Sequence, residues 1–128
     1  MIFGVSGRYG SIPAQLRALF DASGSLWQKG ALVGKACGCF QATGSQGGGQ
    51  ETIALTGIVP FATHHVMVFV PLGYRDPSAF SFDEPHGASP YGAGTLAGDG
   101  SRMPSDLEKG IAKTQGKSFA EIAGKLAK

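Results

Sequence analysis

The alternation of short apolar segments with helical ones most constrains how this chain can fold. Apolar, strand-like segments occupy residues 1–5, 36–41 and 66–70, and helical periodicity occupies residues 12–22, 52–64 and 105–126. Strands that alternate with helices favour a parallel sheet with helices on its faces. The sequence therefore predicts an α/β fold with about three parallel strands, and its length predicts one domain over residues 1–128.

Local signals place the ends of these elements. Ser11 is positioned to cap the first helix, and Ser105 with Glu108 forms the capping-box pattern at the start of the last one. Pro60 predicts a bend in the middle helix, because proline has no N–H to donate. Residues 66–70 are continuously apolar, as in a parallel strand that is covered on both faces.

Residues 72–103 show neither a helical nor a strand period. A structureless segment of this length is unusual in a compact domain unless it is functional. It is therefore a binding or assembly element, or else its assignment is wrong. Because its aromatic side chains need a surface to cover, we expect contacts with other subunits to order most of it.

Composition argues against several function classes. The net charge is +2 and the basic residues are scattered, so we expect no nucleic-acid partner. No apolar run approaches the roughly 20 residues that span a bilayer, and no signal peptide is recognisable, so we expect a cytoplasmic protein without an integral membrane segment. Cys37 and Cys39 lie on one face of the second strand, where we expect buried thiols. Because a C-x-C pair lacks the four ligands of a structural zinc site, we expect no metal site.

The segment of residues 43–51 follows the second strand and contains four glycines. In open parallel sheets, ligands bind beyond the carboxyl ends of the strands. Glycines let the backbone lie against a flat ring, and Thr43, Ser45 and Gln46 offer hydrogen bonds. The Gly-Lys-Ser/Thr ending of a phosphate-binding P-loop is absent. The segment is thus either a ligand-binding loop or a flexible turn.

Other candidate residues lie near the ends of strands. Arg8 and Tyr9 follow the first strand, where they would either contact an aromatic ligand or form an ordinary exposed loop. His64 and His65 point in different directions and cannot both ligate one metal, so we expect one of them to face the crevice of the glycine-rich segment. Trp27 is either a packing residue or a ligand-facing one.

In combination, several segments resemble the WrbA-type NAD(P)H:quinone oxidoreductases, which are flavodoxin-like FMN proteins. These segments are Thr43–Thr52, His64-His65, Val70–Tyr74, Ser89–Thr95 and Gly98–Arg102. The resemblance extends over all 128 residues. It implies a flavodoxin-like three-layer sandwich and two-electron reduction of quinones by NAD(P)H through FMN. It also implies a homotetramer whose active sites lie near subunit contacts.

The resemblance also assigns roles to residues. His64 corresponds to the catalytic, flavin-side histidine, and Trp27 corresponds to the substrate-side tryptophan. Val66 stands where the family generally has glycine after the histidine pair, so we expect an altered backbone at that turn. The implied cofactor contacts are Gly7, Arg8, Tyr9, Ala42, Thr43, Gly44, Ser45, Gly47, Gly48 and His64.

In the family, two further βα units and most of a third strand precede the position of Ile2, and they include the loop that holds the FMN phosphate. The resemblance therefore implies an N-terminally truncated flavodoxin-like fold with weak or no FMN binding and little quinone reductase activity. A non-catalytic flavodoxin-like remnant is the alternative to an FMN-dependent NAD(P)H:quinone oxidoreductase.

Overall fold

A parallel sheet of four strands forms the middle layer of the computed structural model, which describes residues 1–127. Its centre is β2 (Ala36–Thr43), which pairs with β1 (Ile2–Ser6) on one side. On the other side β2 pairs with β3 (Val68–Phe69) and then with β4 (Gly94–Leu96). The α/β class and the parallel sheet are confirmed.

β3 and β4 act as one interrupted strand beside β2. The amide of Gln115 bridges the interval between them: its Nε2 donates to the Cys39 carbonyl at 2.8 Å, and its Oε1 accepts from the Ala93 N–H at 2.8 Å. A side-chain amide has the same donor and acceptor as a peptide group. Gln115 therefore replaces the missing rung of the sheet.

β4 lies inside residues 72–103, where we expected no strand, so the prediction of three strands was one short. The strand is only three residues long and begins at Gly94. A Cβ at this glycine would collide with the amide of Gln50, so the position excludes the β-branched residues that mark strands in a sequence.

The helices cover both faces of the sheet. On one face, α1 (Ala14–Asp21) and the helix that begins at Gln50 share a core with the strands. On the other face lies α5 (Asp106–Leu126), whose Phe119 ring contacts the sheet at Gly38. The expected three-layer arrangement is confirmed. Buried members of the main core are Val5, Ile12, Phe20, Cys37, Cys39, Ile53, Ile58 and Met67.

The start of α1 differs from the prediction. Pro13 holds the N-cap position and no side chain caps the helix. Ser11 instead exchanges backbone hydrogen bonds of 2.9 Å with Arg8, because a tight turn after β1 ends at this residue. The following connector also contains a short helix, α2 (Gly24–Gln28), that carries Trp27.

The middle helix is continuous but changes its winding. It comprises α3 (Gln50–Ile53), a π-helical turn (Ala54–Ile58) and α4 (Val59–His64). Pro60 has no N–H for the usual bond to the carbonyl four residues earlier, and the helix widens in the turn just before it. The irregularity that Pro60 predicted is therefore a π turn.

The chain leaves α4 through a Schellman turn. The Met67 N–H donates to the Ala62 carbonyl at 2.8 Å and the Val66 N–H donates to the Thr63 carbonyl at 3.0 Å. Val66 adopts the left-handed conformation, with φ of 56°, that glycine favours. Although valine stands here where the resembled family generally has glycine, the turn keeps a glycine-like conformation. This is contrary to our expectation of an altered backbone.

This turn also shortens the third strand. Residues 66 and 67 belong to the helix end, and only Val68 and Phe69 pair with β2. Val68 is 41% exposed, so the prediction of a strand covered on both faces is wrong here. β3 also pairs with one neighbour only and lies at an edge of the described sheet.

Glu108 joins the last helix to the segment before it. As the capping-box pattern predicts, its side chain accepts from the Ser105 N–H while the Ser105 hydroxyl accepts from the Glu108 N–H. The carboxylate is almost fully buried. Its other donors are the Gly87 N–H, the Leu96 N–H, the Thr95 hydroxyl and the Arg102 guanidinium.

Replacing Val66 by glycine should stabilise the protein. A β-branched residue in the left-handed region is strained, and the gain on relieving it exceeds the loss of chain entropy, so we expect the free energy of unfolding to rise by about 1 kcal/mol. Urea unfolding of Val66→Gly measures this. Val33→Gly is the matched control, because Val33 is similarly exposed (55% against 61%) but lacks a positive φ; it should lose stability. A Val66→Gly protein no more stable than the wild type would show that Val66 is unstrained.

The Glu108 carboxylate should make stability depend on pH in the acid range. Burial by itself raises the pKa of Glu108, but hydrogen bonds from Gly87, Ser105, Thr95 and Arg102 outweigh it and lower this pKa from 4.5 to about 2. The ionised Glu108 side chain therefore contributes about 3 kcal/mol to the free energy of unfolding above pH 4.5. This contribution is lost as the pH falls toward 2.

Denaturant unfolding at several pH values tests this. Glu108→Gln should flatten the loss of stability in that pH window. Glu121→Gln is the control, since Glu121 is exposed on the same helix, and it should keep the wild-type profile. Parallel profiles for wild type and Glu108→Gln would contradict the assignment.

Candidate functional site

A cavity of about 540 Å³ opens beyond the carboxyl ends of β1 and β2. Because the two strands are parallel, the loops that follow them meet at this edge of the sheet. We call it the ring cavity. Its lining residues are Gly7, Tyr9, Gly10, Thr43, Gly44, Gly47, Gly48, Gly49 and Thr52.

Most residues that the sequence nominated for cofactor contact come together here. Four of the nominated residues do not line the cavity: Arg8, Ala42, Ser45 and His64, of which His64 lies in a second cleft described below. The Arg8 side chain is exposed and donates to the Gly7 carbonyl at 3.0 Å. Ala42 joins the two loops, because its carbonyl accepts from the Gly7 N–H at 2.8 Å. Ser45 contributes its carbonyl, which accepts from the Thr43 hydroxyl at 2.9 Å.

Glycine is needed in this loop for two different reasons. Gly49 has a φ of 84° and begins the helix, a conformation that other residues rarely adopt. A Cβ at Gly47, which lines the cavity, would meet no protein atom within 4 Å, so the space in front of it is open. Six of the nine residues that line the ring cavity are glycines, so much of its wall is backbone.

Gln50 is a site residue that the sequence analysis missed. It is buried, and its Nε2 donates to the Thr43 hydroxyl and to the Thr95 carbonyl, each at 3.1 Å. Its Oε1 accepts from the Ala88 N–H at 2.9 Å. The amide thus ties the glycine-rich loop to β4 and to the segment before it. No sequence pattern distinguishes such a buried glutamine from the polar residues that usually start a helix.

A second cleft, of about 400 Å³, lies between α1, α2 and the end of α4. Trp27 and His64 both line it, and both are exposed. We call it the tryptophan cleft. Its remaining lining residues are Arg17, Phe20, Asp21, Ser23, Gly24, Pro60, Phe61 and His65.

The ring cavity and the tryptophan cleft are separate within one chain. The middle helix begins at Gln50, beside the ring cavity, and ends at His64. At about 1.5 Å per residue, it carries His64 some 20 Å away, to the opposite edge of the sheet. The expectation that a histidine faces the crevice of the glycine-rich segment is therefore wrong for a single chain.

His65, the other member of the pair, is buried. Its ring lies 4.5 Å from the ring of Phe61, which stacks on Phe20 at 4.0 Å. Its Nε2 is 3.0 Å from the Ser23 hydroxyl oxygen.

The segment between β3 and β4 makes contacts within the chain, and its ordering by contacts with other subunits stays a prediction. Its Gly87 and Ala88 N–H groups donate to the buried Glu108 and Gln50 side chains. Several of its aromatic side chains nevertheless remain at the surface. Phe82 is fully exposed, and Tyr74 stacks on Phe80 at 5.3 Å.

Cys37 and Cys39 are free and buried, as predicted. Burial raises the pKa of the Cys37 thiol to about 11 and that of the Cys39 thiol to about 12. Both thiols are therefore protonated at neutral pH and are poor nucleophiles.

Over residues 1–127, no group of three or more His, Cys, Asp or Glu side chains is arranged to hold a metal ion. No helix in the same range is both long and apolar enough to cross a bilayer.

Comparison with known proteins identifies relatives. The chain is 53% identical over 127 residues to the NAD(P)H quinone oxidoreductase PST3 of Candida albicans, a match that covers 97% of the chain and 63% of that protein. It is 51% identical over 128 residues to the quinone-oxidoreductase QR2 of Triphysaria versicolor, covering 98% and 62%. The chain thus spans about three fifths of the length of these relatives.

The fold has a close counterpart among solved structures. A flavodoxin, WrbA-like protein from Agrobacterium tumefaciens superposes with a TM-score of 0.68 at 22% identity, over 97% of this chain and 65% of that one. No protein-family model matches the chain. The flavodoxin-like fold is confirmed, and the chain is homologous to part of proteins that are named NAD(P)H quinone oxidoreductases.

Proposed function

We propose that the chain is a partial flavodoxin-like domain that supplies the ring-binding and substrate-side residues of a cytoplasmic, FMN-dependent NAD(P)H:quinone oxidoreductase. The observation that carries this proposal is the ring cavity, whose backbone wall lies where ligands bind in open parallel sheets. About 50% identity to named quinone oxidoreductases supports the reaction class. Two free, buried thiols are in keeping with a reducing cytoplasm.

The residues of the ring cavity fit a flat heteroaromatic ring. The open space in front of Gly47 leaves room for a plane to lie against the backbone. Thr43 is already bonded to Ser45 and Gln50, so its hydroxyl fixes the loop and leaves backbone groups of Gly44 to Gly48 for the ring edge. When bound, FMN would supply the two-electron transfer from NAD(P)H to a quinone.

The same cavity offers a phosphate no charged partner from the part of the chain that the structure describes. No lysine or arginine side chain of residues 1–127 lines it. Charge-assisted hydrogen bonds to an anion contribute about 1.5–3 kcal/mol each, so lacking two of them weakens binding by a factor of about 10² to 10⁴. We therefore expect this chain to recognise the ring of FMN and not its phosphate.

Flavin titrations test this expectation. Riboflavin, which has the ring but no phosphate, should bind as weakly as FMN does, with dissociation constants equal within about two-fold. Quenching of flavin fluorescence by the purified chain gives both constants. Gly47→Val should abolish binding by filling the ring cavity, whereas Gly124→Val, on the exposed face of α5, should not.

The outcomes separate the proposal from its alternative. NAD(P)H-dependent quinone reduction at saturating flavin should exceed that of free flavin in the wild type and not in Gly47→Val. Ring binding without such activity would identify a non-catalytic flavodoxin-like remnant. FMN binding more than about ten-fold tighter than riboflavin binding would show that a phosphate site is present after all.

We also propose that the working site lies between copies of the chain. The tryptophan cleft lies about 20 Å from the ring cavity of the same chain, too far for Trp27 or His64 to contact a ring bound there. A second copy could present its cleft to the cavity of the first. His64 would then act beside the flavin and Trp27 would wall the quinone-binding space, in a homo-oligomer that the family resemblance makes a tetramer.

The mass of the chain in solution tests this assembly. The exposed aromatic group of Tyr74, Phe80 and Phe82 is the apolar surface that we expect the copies to share. Sedimentation should give an oligomer for the wild type and a smaller species for the double variant Tyr74→Ser, Phe82→Ser. Leu126→Ser, which removes an exposed leucine elsewhere, should leave the mass unchanged. A monomeric wild-type chain would contradict the composite site.

A further inference from the structure

We infer that Ser23 and His65 are positioning residues that hold Trp27 in place beside His64. The inference rests on the substrate-side role proposed for Trp27. It concerns two residues that do not themselves need to touch the flavin or the quinone.

The direction of each hydrogen bond at Ser23 follows from its chemistry. The Ser23 hydroxyl lies 2.6 Å from the Phe20 carbonyl oxygen, which can only accept, so the single hydroxyl proton is donated there. The lone pairs of the same oxygen are then free to accept from His65, whose Nε2 is 3.0 Å away. Neutral His65 must therefore carry its proton on Nε2.

Ser23 also holds the tryptophan directly. It is the N-cap residue of α2, and its carbonyl accepts from the N–H groups of Leu26 and Trp27 at 2.9 and 3.1 Å. One residue thus joins the imidazole of His65 to the backbone of Trp27. We call this series of bonds the Ser23 link.

The two ends of the Ser23 link differ in how firmly they are held. His65 is buried, packs against Phe61, and is followed by the turn in which Val66 is left-handed. By contrast, α2 is five residues long, buries none of them and has no side-chain cap. Such a short helix is unstable alone, and the Trp27 side chain is 61% exposed, so its position depends on Ser23.

The expected consequence is a change in substrate binding. If Ser23 loses its hydroxyl, α2 and its indole move relative to His64 while the ring cavity stays intact. The KM for quinone should then rise about five-fold, in line with loss of the hydrogen bond that joins His65 to Ser23, with kcat nearly unchanged.

Trp27 is the chain's only tryptophan, so its fluorescence reports on the Ser23 link without interference. Steady-state anisotropy, excited at the red edge of indole absorption, should fall in Ser23→Ala and return to the wild-type value in Ser23→Thr, which keeps the hydroxyl. His65→Phe keeps an aromatic ring but no donor and should behave as Ser23→Ala; His65→Gln keeps a donor and should retain more of the wild-type anisotropy. Ser25→Ala, an exposed serine of α2, is the control and should change nothing.

Circular dichroism identifies which variants are folded. Because there are four variants at two positions, the others still test the inference if one of them fails to fold. Unchanged anisotropy in folded Ser23→Ala or His65→Phe would overturn the inference, as would failure of Ser23→Thr to restore it. A wild-type chain without quinone reductase activity would refute the proposed function, but the anisotropy series would still decide whether the Ser23 link holds Trp27.

Discussion

A buried negative charge on Glu108 organises one side of the molecule. A carboxylate removed from water must be surrounded by donors, since leaving it unpaired would cost several kcal/mol. The donors that surround it come from β4, from the segment before β4 and from the turn that precedes α5. One charge therefore fixes how three successive parts of the chain lie on α5, and through Gln50 this arrangement extends to the rim of the ring cavity.

The local features of the fold could be predicted because they are encoded by neighbouring residues. The order of the three predicted strands and three predicted helices, the Ser105–Glu108 capping box and the position of the glycine-rich loop after β2 agree with the structure. The features that escaped prediction depend on contacts between distant residues. Gly94 is in a strand because Gln50 fills the space beside it, and Gln50 is buried because Thr43, Thr95 and Ala88 converge on its amide.

The candidate functional site likewise has features that could be predicted from the sequence and features that could not. Loops after adjacent parallel strands must meet, so the ring cavity could be anticipated from the sequence. The location of His64 could not be inferred from its nearness to β3, because it depends on the direction and length of the helix that leads to it. The length of that helix, at about 1.5 Å per residue, separates His64 from the ring cavity within one chain. Family resemblance assigns a role to each residue but says nothing of which copy supplies it.

Gln115 has a consequence for how this protein can vary. A sheet normally requires a continuous strand, so any insertion would shift the register of every later residue. Here the rung between β3 and β4 comes from Gln115 of α5, which lies 76 residues after Cys39, its partner in β2. The two short strands are therefore attached to β2 independently, and the segment between them can lengthen or shorten without moving either. The fold thus contains a site where new surface can evolve while the hydrogen bonding of the sheet is preserved.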